Sequence, residues 1–260
     1  MDEVLCERRG AGAWLRLNRP ESMNTITPAM TGALADHLDR VRVDTEVRAL
    51  VITGSGRAFC AGGDLSAARA LAEMEPPGGQ QFLADFGAVL NSLQEFPKPV
   101  IAAVNGLTMA GGLELVLACD LVVAVASAPI GDGHANYGLI PGGGGSIRLP
   151  RRVGRSMAAW LFFTGRTLPA RDLVACGLVN VVTESDELTA TVDEVVASIA
   201  TKSALGLARM KRLMNDGLDQ PSSAGIRMEL LASEAHAMSY DMAEGLAAFE
   251  AKRPPSFLGR

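Results

Sequence analysis

The feature that most constrains this chain is a series of strand-length apolar runs that alternate with helical patterns. The runs fall at residues 13–17, 49–53, 100–104 and 121–126. Residues 27–42 carry apolar side chains at three- and four-residue spacing, which predicts a helix with Thr27 as N-cap and Pro28 at its first position. The apolar run at residues 112–119 predicts a second helix. Strands that alternate with helices need crossover connections, so the pattern predicts an α/β fold with a mostly parallel sheet.

Beyond residue 156 the pattern becomes helical, with a further strand predicted at residues 177–183. The last sixty or so residues predict helices only. A capping box, Asp241-x-x-Glu244, is predicted at the start of the final helix, which must end before Pro254. The segment 74–81 (MEPPGGQQ) is rich in proline and glycine and predicts a mobile loop.

Composition excludes several classes of protein. The chain has 260 residues and is 48% hydrophobic, enough for one large domain and too apolar for disorder. A net charge of −5 with no basic tract disfavours nucleic acid as a partner. The four cysteines lie far apart without a C-x-x-C pair, so we expect buried, reduced thiols and no metal site. No apolar run reaches the length of a membrane span, and the N-terminus lacks a signal sequence, so we expect a cytoplasmic protein.

Two glycine-rich segments, residues 59–65 and 105–114, each follow a predicted strand, and the second leads into a helix. Free N–H groups at a helix N-terminus attract negative charge, and glycine permits close approach. Two such loops that converge would form an oxyanion hole of two backbone amides, although tight turns alone also explain the glycines. The run Gly142–Gly145 is interpreted as turns beside the site, because no Lys-Ser/Thr follows it as in a P-loop.

Several ordered motifs across nearly the whole chain resemble those of the crotonase family, also called the enoyl-CoA hydratase/isomerase superfamily. They are Asn18-Arg-Pro-Glu-x-x-Asn24, Gly56-Arg-Ala-Phe-Cys-Ala-Gly-Gly-Asp-Leu65, Asn105-Gly-x-x-x-Ala-Gly-Gly-x-Glu114, Gly138-Leu-Ile-Pro-Gly142, Phe163-Thr-Gly165, Gly177-Leu-Val179 and Lys252-Arg-x-x-x-Phe257-x-Gly-Arg260.

The resemblance implies an α/β fold with a crotonase-like ββα spiral core over residues 1–195. It also implies a helical C-terminal region over residues 196–260 that assembles trimers, or hexamers that are dimers of trimers. Family members bind acyl-CoA thioesters, so coenzyme A is part of the substrate and no separate cofactor or metal is expected. Neither a nucleic acid nor a membrane is an expected partner.

The resemblance also assigns site residues by position. The oxyanion-hole amides are those of Gly63 and Gly111, which would stabilise charge on the thioester oxygen preferentially in the transition state. Glu114 corresponds to one of two catalytic glutamates that hold and activate water. Backbone groups around three residues would hold the adenine of coenzyme A: Ala61, Asp64 and Leu65.

The chain departs from the family at the second glutamate. That residue should lie four positions before Gly138 in a Phe-Gly-x-Pro-Glu pattern, but the segment reads Ile130-Gly-Asp-Gly-His134. Histidine can act as a general acid or base near neutral pH, or His134 can be merely structural. Asp132 is a further alternative. For Glu114, burial would raise the carboxyl pKa and the helix N-terminus would lower it, and the sequence leaves the balance open.

Three functions therefore remain. The first is an enoyl-CoA hydratase or related lyase, in which Glu114 activates water and His134 orients it or moves the α-carbon proton. The second keeps the oxyanion hole but isomerises or hydrolyses a specialised acyl-CoA, because one glutamate alone can move a proton between carbons. The third is a non-catalytic acyl-CoA-binding subunit, with an RNA-binding role that the acidic balance disfavours. The acyl chain is not readable from the sequence.

Overall fold

The helices and strands of the computed structural model cover most of residues 2–74 and 78–260, which are the residues that it describes. Along the chain they are β1 (Val4–Arg9), β2 (Gly12–Leu17), α1 (Pro28–Val43), β3 (Ala49–Gly54), β4 (Ala58–Cys60), α2 (Leu65–Ala72), α3 (Gly79–Gln94), β5 (Val100–Val104), β6 (Leu107–Met109), α4 (Gly111–Leu117), β7 (Leu121–Val125), β8 (Pro129–Gly131), α5 (Gly145–Thr164), β9 (Thr167–Pro169), β10 (Val181–Thr183), α6 (Leu188–Ala200), α7 (Ala204–Gly217), α8 (Ser222–Ala237) and α9 (Tyr240–Glu250).

The strands form two sheets that the chain visits in turn. The six-stranded sheet has the order β1-β2-β3-β5-β7-β10, and the four-stranded sheet has the order β4-β6-β8-β9. The pairs β3–β4, β5–β6 and β7–β8 each place their first strand in the large sheet and their second in the small sheet, and a helix follows each pair. This repeat is the predicted ββα arrangement, and it is confirmed.

The large sheet is parallel from β2 to β10, as predicted. Every residue of β3 and of β5 is buried, and Leu50 pairs with Val100 in the register between them. A strand covered on both faces reads as a continuous apolar run, which is why these two were visible in the sequence. Strand β1 is antiparallel to β2 and exposes all of its residues except Val4, so its sequence carries no comparable pattern.

Helix α1 forms as its sequence predicts. The Thr27 hydroxyl accepts a hydrogen bond from Met30 N at 3.0 Å, and Pro28 occupies the first turn, where its missing N–H costs nothing. Leu34 and Leu38 lie on its buried face. Burial of this stripe holds α1 against the sheet.

Two predictions about other segments need adjustment. The strand predicted at residues 177–183 is limited to β10, because Gly177 adopts a positive φ of 82° and the chain turns before it can pair. In the predicted loop at residues 74–81, positions 75–77 lie outside the described residues, and α3 already begins at Gly79.

The predicted capping box at α9 is wrong. Ser239 is the N-cap, and its hydroxyl accepts from Met242 N at 3.2 Å. The Asp241 carboxylate accepts from Leu258 N at 2.8 Å, and the Glu244 carboxylate pairs with Arg253 instead. Both acids are buried because they bind the C-terminal tail, a tertiary contact that a local pattern does not report.

The cysteines are free thiols, as predicted, but not all are buried. Cys60 and Cys119 are buried, and burial raises the pKa of each thiol to about 12. Cys6 is exposed on β1. Across residues 2–74 and 78–260, the helices are all too short or too polar to cross a bilayer.

A buried ion pair fastens helix α7 to the core. Lys211 Nζ lies 2.7 Å from Asp120 Oδ2 and also donates to the carbonyl of Leu93 at 3.0 Å. The same Asp120 oxygen accepts from Val100 N at 2.7 Å. The pair therefore connects α7 to the start of β5 and to the end of α3.

We expect Lys211→Met to lower the free energy of unfolding by about 3 kcal/mol, because it leaves the Asp120 carboxylate without its counter-charge in a mostly buried setting. Urea denaturation of both proteins measures the difference. Lys202→Met removes an exposed lysine and should change stability by less than about 0.5 kcal/mol. Equal midpoints for Lys211→Met and the unchanged chain would contradict the structural role of the pair.

Candidate active site

The loop after β4 places the Gly63 amide next to α4. Ile26 N donates to Gly62 O at 2.8 Å, and Asp64 N donates to Ile26 O at 2.9 Å, so the two segments form a parallel bridge centred on Gly63. In such a bridge the N–H of the central residue points away from the partner segment. The Gly63 N–H is thereby turned to the opposite side of the loop.

The second predicted amide is the first residue of α4. The N–H of Gly111 belongs to the first helical turn, whose donors have no acceptor within the helix and carry the positive end of its dipole. The preceding residue, Ala110, has φ 50° and ψ −117°, a conformation that L-residues rarely adopt. This sharp entry aims the first turn of α4 at the loop that carries Gly63.

The two loops meet backbone to backbone. A Cβ added at Gly62 would lie 2.9 Å from Ala110 Cβ and 3.4 Å from Gly111 N. A Cβ added at Gly111 would lie 3.5 Å from Gly63 N and 2.9 Å from Ile26 Cδ1. A side chain has no room at Gly62, and one at Gly111 would have to displace Ile26 Cδ1, so glycine favours the approach itself as well as the turns. The structure thus brings together the two amides named from the sequence.

Glu114 lies one turn into α4, on the same face as Gly111. The residue is only 3% exposed, and its Oε1 accepts from Gly143 N at 2.7 Å and from Gly145 N at 2.9 Å. Burial raises the pKa of the Glu114 carboxyl above its ordinary value, and the two amides and the charge of His134 oppose that rise without cancelling it. The direction of the Glu114 pKa shift, which the sequence left open, is therefore set by desolvation.

The interpretation of Gly142–Gly145 as turns alone is therefore incomplete. Gly144 does turn the chain, with φ 89°, but its two neighbours hold the carboxylate. A Cβ added at Gly143 would lie 2.8 Å from Glu114 Oε2. The sequence signal was present, since the run ends where α5 begins and glycines at a helix start can present amides to an anion.

Arg148 braces this glycine run. Its guanidinium donates to the Gly143 carbonyl at 2.6 Å, and to Asn91 Oδ1 and Gln94 Oε1 on α3 at 2.6 and 2.9 Å. Sequence reasoning missed Arg148, because its partners lie more than fifty residues away along the chain, apart from Gly143.

His134, at the position of the departure from the family pattern, has a buried carboxylate as its partner. Its Nδ1 lies 2.9 Å from Asp132 Oδ1, and its backbone N–H donates to Asp132 Oδ2 at 3.1 Å. The Asp132 side chain is 2% exposed and that of His134 is 12% exposed. Burial acts to lower the pKa of His134, but the hydrogen bond and charge of Asp132, with the charge of Glu114, outweigh it and raise that pKa.

Asp64, named as one of the adenine contacts, has its side chain fully engaged. Its Oδ1 accepts from Ser66 N and Ala67 N at the start of α2, and its Oδ2 accepts from Arg19. These contacts, with the Ala67 N–H first, hold the pKa of Asp64 below its ordinary value despite partial burial. The carboxylate therefore shapes the loop and is not free for a ligand.

The other two adenine positions lie beside it. Ala61 N donates to Met23 O at 3.0 Å and Asp64 N donates to Ile26 O at 2.9 Å, so these two amides are already bonded within the protein. The Leu65 side chain is exposed at the start of α2.

Asn24 is a buried residue of the first motif whose role only the structure reveals. Its amide nitrogen donates to Ser55 O at 2.9 Å and Ala58 O at 2.8 Å, and its Oδ1 accepts from Arg19 N at 2.9 Å. The Asn24 backbone has φ 55°, in the left-handed region that asparagine tolerates. These bonds fix the segment that carries Ile26 against the loop after β4.

Comparisons with known proteins agree with this arrangement. A model of the enoyl-CoA hydratase/isomerase family matches residues 7–260. The chain is 33% identical to a crotonyl-CoA hydratase of Syntrophomonas wolfei over 260 residues, covering 100% of this chain and 99% of that protein. It is 34% identical to a 1,2-epoxyphenylacetyl-CoA isomerase of Escherichia coli, covering 95% and 94% of the two chains.

A solved structure shows the same fold. The crystal structure of an enoyl-CoA hydratase from Bacillus anthracis superposes with a TM-score of 0.94 at 31% identity, covering 99% of this chain and 100% of that one. With the family model, the relatives and the shared crotonase fold in agreement, the chain belongs to the enoyl-CoA hydratase/isomerase family of enzymes.

Proposed function

We propose that this enzyme hydrates a 2-enoyl-CoA thioester to the 3-hydroxyacyl-CoA. The observation that carries the proposal is the buried Glu114 carboxylate, held by the Gly143 and Gly145 amides one helical turn from the Gly111 amide. A carboxylate that is held in place and raised in pKa is suited to accept a proton from water. The nearby pair of backbone donors is suited to the oxygen of a polarised thioester.

The reaction needs these groups in a definite order. The amides of Gly63 and Gly111 bind the thioester oxygen, and Glu114 takes a proton from the attacking water as its oxygen bonds to the β-carbon. Electrons move onto the thioester oxygen as an enolate, and a proton then reaches the α-carbon. His134 is placed to orient the water or to move that proton. Backbone groups around Ala61, Asp64 and Leu65 would hold the adenine, and no cofactor besides the substrate's own coenzyme A takes part.

The test is incubation of the pure protein with crotonyl-CoA and longer 2-enoyl-CoA thioesters. We expect the enoyl absorbance to fall and the acyl-CoA to gain the mass of one water. Failure with all chain lengths would contradict the proposal.

Isomerisation or hydrolysis of a specialised acyl-CoA is the second candidate. It is favoured by His134 at the second glutamate position and by the similarity to an isomerase from Escherichia coli. Mass spectrometry separates the outcomes, because isomerisation leaves the acyl-CoA mass unchanged and hydrolysis releases free coenzyme A. Binding of acyl-CoA without turnover of any panel member would instead identify a non-catalytic subunit.

We further propose that the C-terminal region, residues 196–260, assembles the chain into trimers or dimers of trimers. Helices α7 to α9 and the turn after α7 expose large apolar side chains that a partner subunit would cover: Met210, Met214, Leu218, Leu230, Leu231, Leu246 and Phe249. The molar mass in solution distinguishes a monomer, a trimer and a hexamer.

A further inference from the structure

We infer that Asp132 is a positioning residue that sets the proton of His134 and makes His134 the donor to the α-carbon. The inference rests on the proposed hydration. That proposal left two roles open for His134, orienting the water or moving the proton to the α-carbon, and the inference assigns the second. It places an aspartate–histidine pair where the family pattern has a glutamate.

The geometry ties one ring nitrogen of His134 to Asp132. An ionised carboxylate only accepts hydrogen bonds, so the contact of 2.9 Å between Asp132 Oδ1 and His134 Nδ1 requires a proton on Nδ1. Nε2 is then the nitrogen left for the substrate. The second carboxylate oxygen accepts a hydrogen bond from the backbone N–H of His134. The Asp132 side chain therefore holds both the ring and the backbone of His134.

The turn between the two residues is built for this contact. Gly133 adopts φ 71°, which bends the chain between Asp132 and His134 and brings their side chains into contact. A Cβ at Gly133 would collide with the Met109 methyl group at 2.2 Å. A strictly extended strand would have placed residues 132 and 134 on one face without bending them into contact.

The charges around His134 favour its protonated form. Asp132 beside it and Glu114 on α4 are the titratable groups that act on its ring among the described residues, and both are acids. Their combined effect exceeds the opposing effect of burial, so the pKa of His134 lies above its ordinary value. Both acids thus stabilise the imidazolium form of His134 relative to the neutral ring.

With these roles, every proton, bond and electron pair of the hydration reaction is accounted for. Glu114 accepts one proton from water, the remaining hydroxyl oxygen bonds to the β-carbon, and the double-bond electrons pass into the enolate. The Nε2–H bond of His134 then breaks as its proton bonds to the α-carbon, and the enolate electrons return to re-form the thioester carbonyl. The thioester C–S bond stays intact, and the proton on Glu114 restores His134 through solvent.

The pH dependence follows from these states. Glu114 must be ionised, so activity is lost as pH falls through its raised pKa. His134 must be protonated, so activity is lost as pH rises through its own raised pKa. Activity therefore requires an ionised Glu114 and a protonated His134 at the same time. A neutral His134 that merely orients water would produce no such loss on the alkaline side.

The first test compares the pH profiles of kcat for the unchanged enzyme and Asp132→Asn, which keeps the shape but removes the charge. We expect kcat of the variant to fall at least about tenfold at pH 8, with a smaller deficit at pH 6 and a nearly unchanged KM. Asp219→Asn, at an exposed ion pair with Arg151, is the matched control and should leave the profile unchanged. Absence of an alkaline loss in the unchanged enzyme, or an equal deficit at both pH values, would overturn the inference.

The second test does not depend on hydration, and the titration itself is measured on the unchanged protein. The chain contains three histidines, so nitrogen NMR of the histidine-labelled protein resolves each ring, and His134→Gln identifies the signal of His134. We expect His134 to titrate above the ordinary histidine range and, once neutral, to keep its proton on Nδ1. Titration at or below that range, or a neutral ring with its proton on Nε2, refutes the role of Asp132 even if hydration is confirmed. The expected signals without hydratase activity would instead contradict the proposed function alone.

Discussion

Glu114→Gln lowers kcat for enoyl-CoA hydration by about 10²- to 10⁴-fold, while the chain keeps its fold. The amide retains an oxygen that can accept from Gly143 N and Gly145 N, so the packing at α4 is preserved. It has no basic group to take a proton from water, and this is the loss that the assay measures. Steady-state kinetics with a 2-enoyl-CoA thioester, together with circular dichroism, check both parts of the result.

Glu184→Gln is the matched control, because it makes the same change at an exposed turn. Its kcat should equal that of the unchanged enzyme. A Glu114→Gln variant with full activity would show that Glu114 is a helix-start acid without a catalytic role, and the proposed reaction would lose its base.

Gly111→Ala is expected to lower kcat, by up to the roughly 10²- to 10³-fold that loss of one oxyanion-hole donor costs, because it keeps the Gly111 N–H but misplaces it. The added Cβ would lie 2.9 Å from Ile26 Cδ1, so it presses on the residue whose backbone forms the bridge to Gly63 and thereby disturbs the alignment of the two amides. The loss should appear in kcat more than in KM, because charge on the thioester oxygen develops in the transition state. Kinetics with the same thioester measure the split.

Gly87→Ala provides the control for Gly111→Ala. Gly87 lies within α3, and a Cβ there meets no atom within 4 Å. Alanine at that position should stabilise the helix by up to about 1 kcal/mol and leave kcat unchanged. Equal kinetics for the two variants would show that the approach of Gly63 and Gly111 does not serve the reaction.

The parts of the fold that were predictable are those with a local signal. Strands β3 and β5 are buried on both faces, so their sequences are continuous apolar runs, and α1 has both a cap and a buried stripe. The strands of the small sheet, such as β4 and β6, have three residues each and show no periodicity to detect. The acids Asp241 and Glu244 imitated a capping box because their true partners lie in the C-terminal tail.

The candidate site likewise has residues that the sequence could identify and contacts that it could not. The motifs placed Gly63, Gly111 and Glu114 by number, since the family resemblance depends on residue order along the chain. The amides that hold Glu114 come from the glycine run that follows it by about thirty residues, and Arg148 supports that run from α5. Neither contact has a signature at short range.

The sequence by itself therefore determined the α/β class, the family and the positions of the candidate chemical groups. Only the tertiary structure decided the state of those groups. Whether Glu114 is raised or lowered in pKa depends on the competition between burial and the facing amides, and burial prevails. Whether His134 has a carboxylate partner depends on the turn at Gly133, which brings the Asp132 side chain into contact with the His134 ring. The pKa of Glu114 and the pairing of His134 both depend on charges, hydrogen-bond donors and solvent within a few ångströms. The order of residues along the chain does not specify those distances.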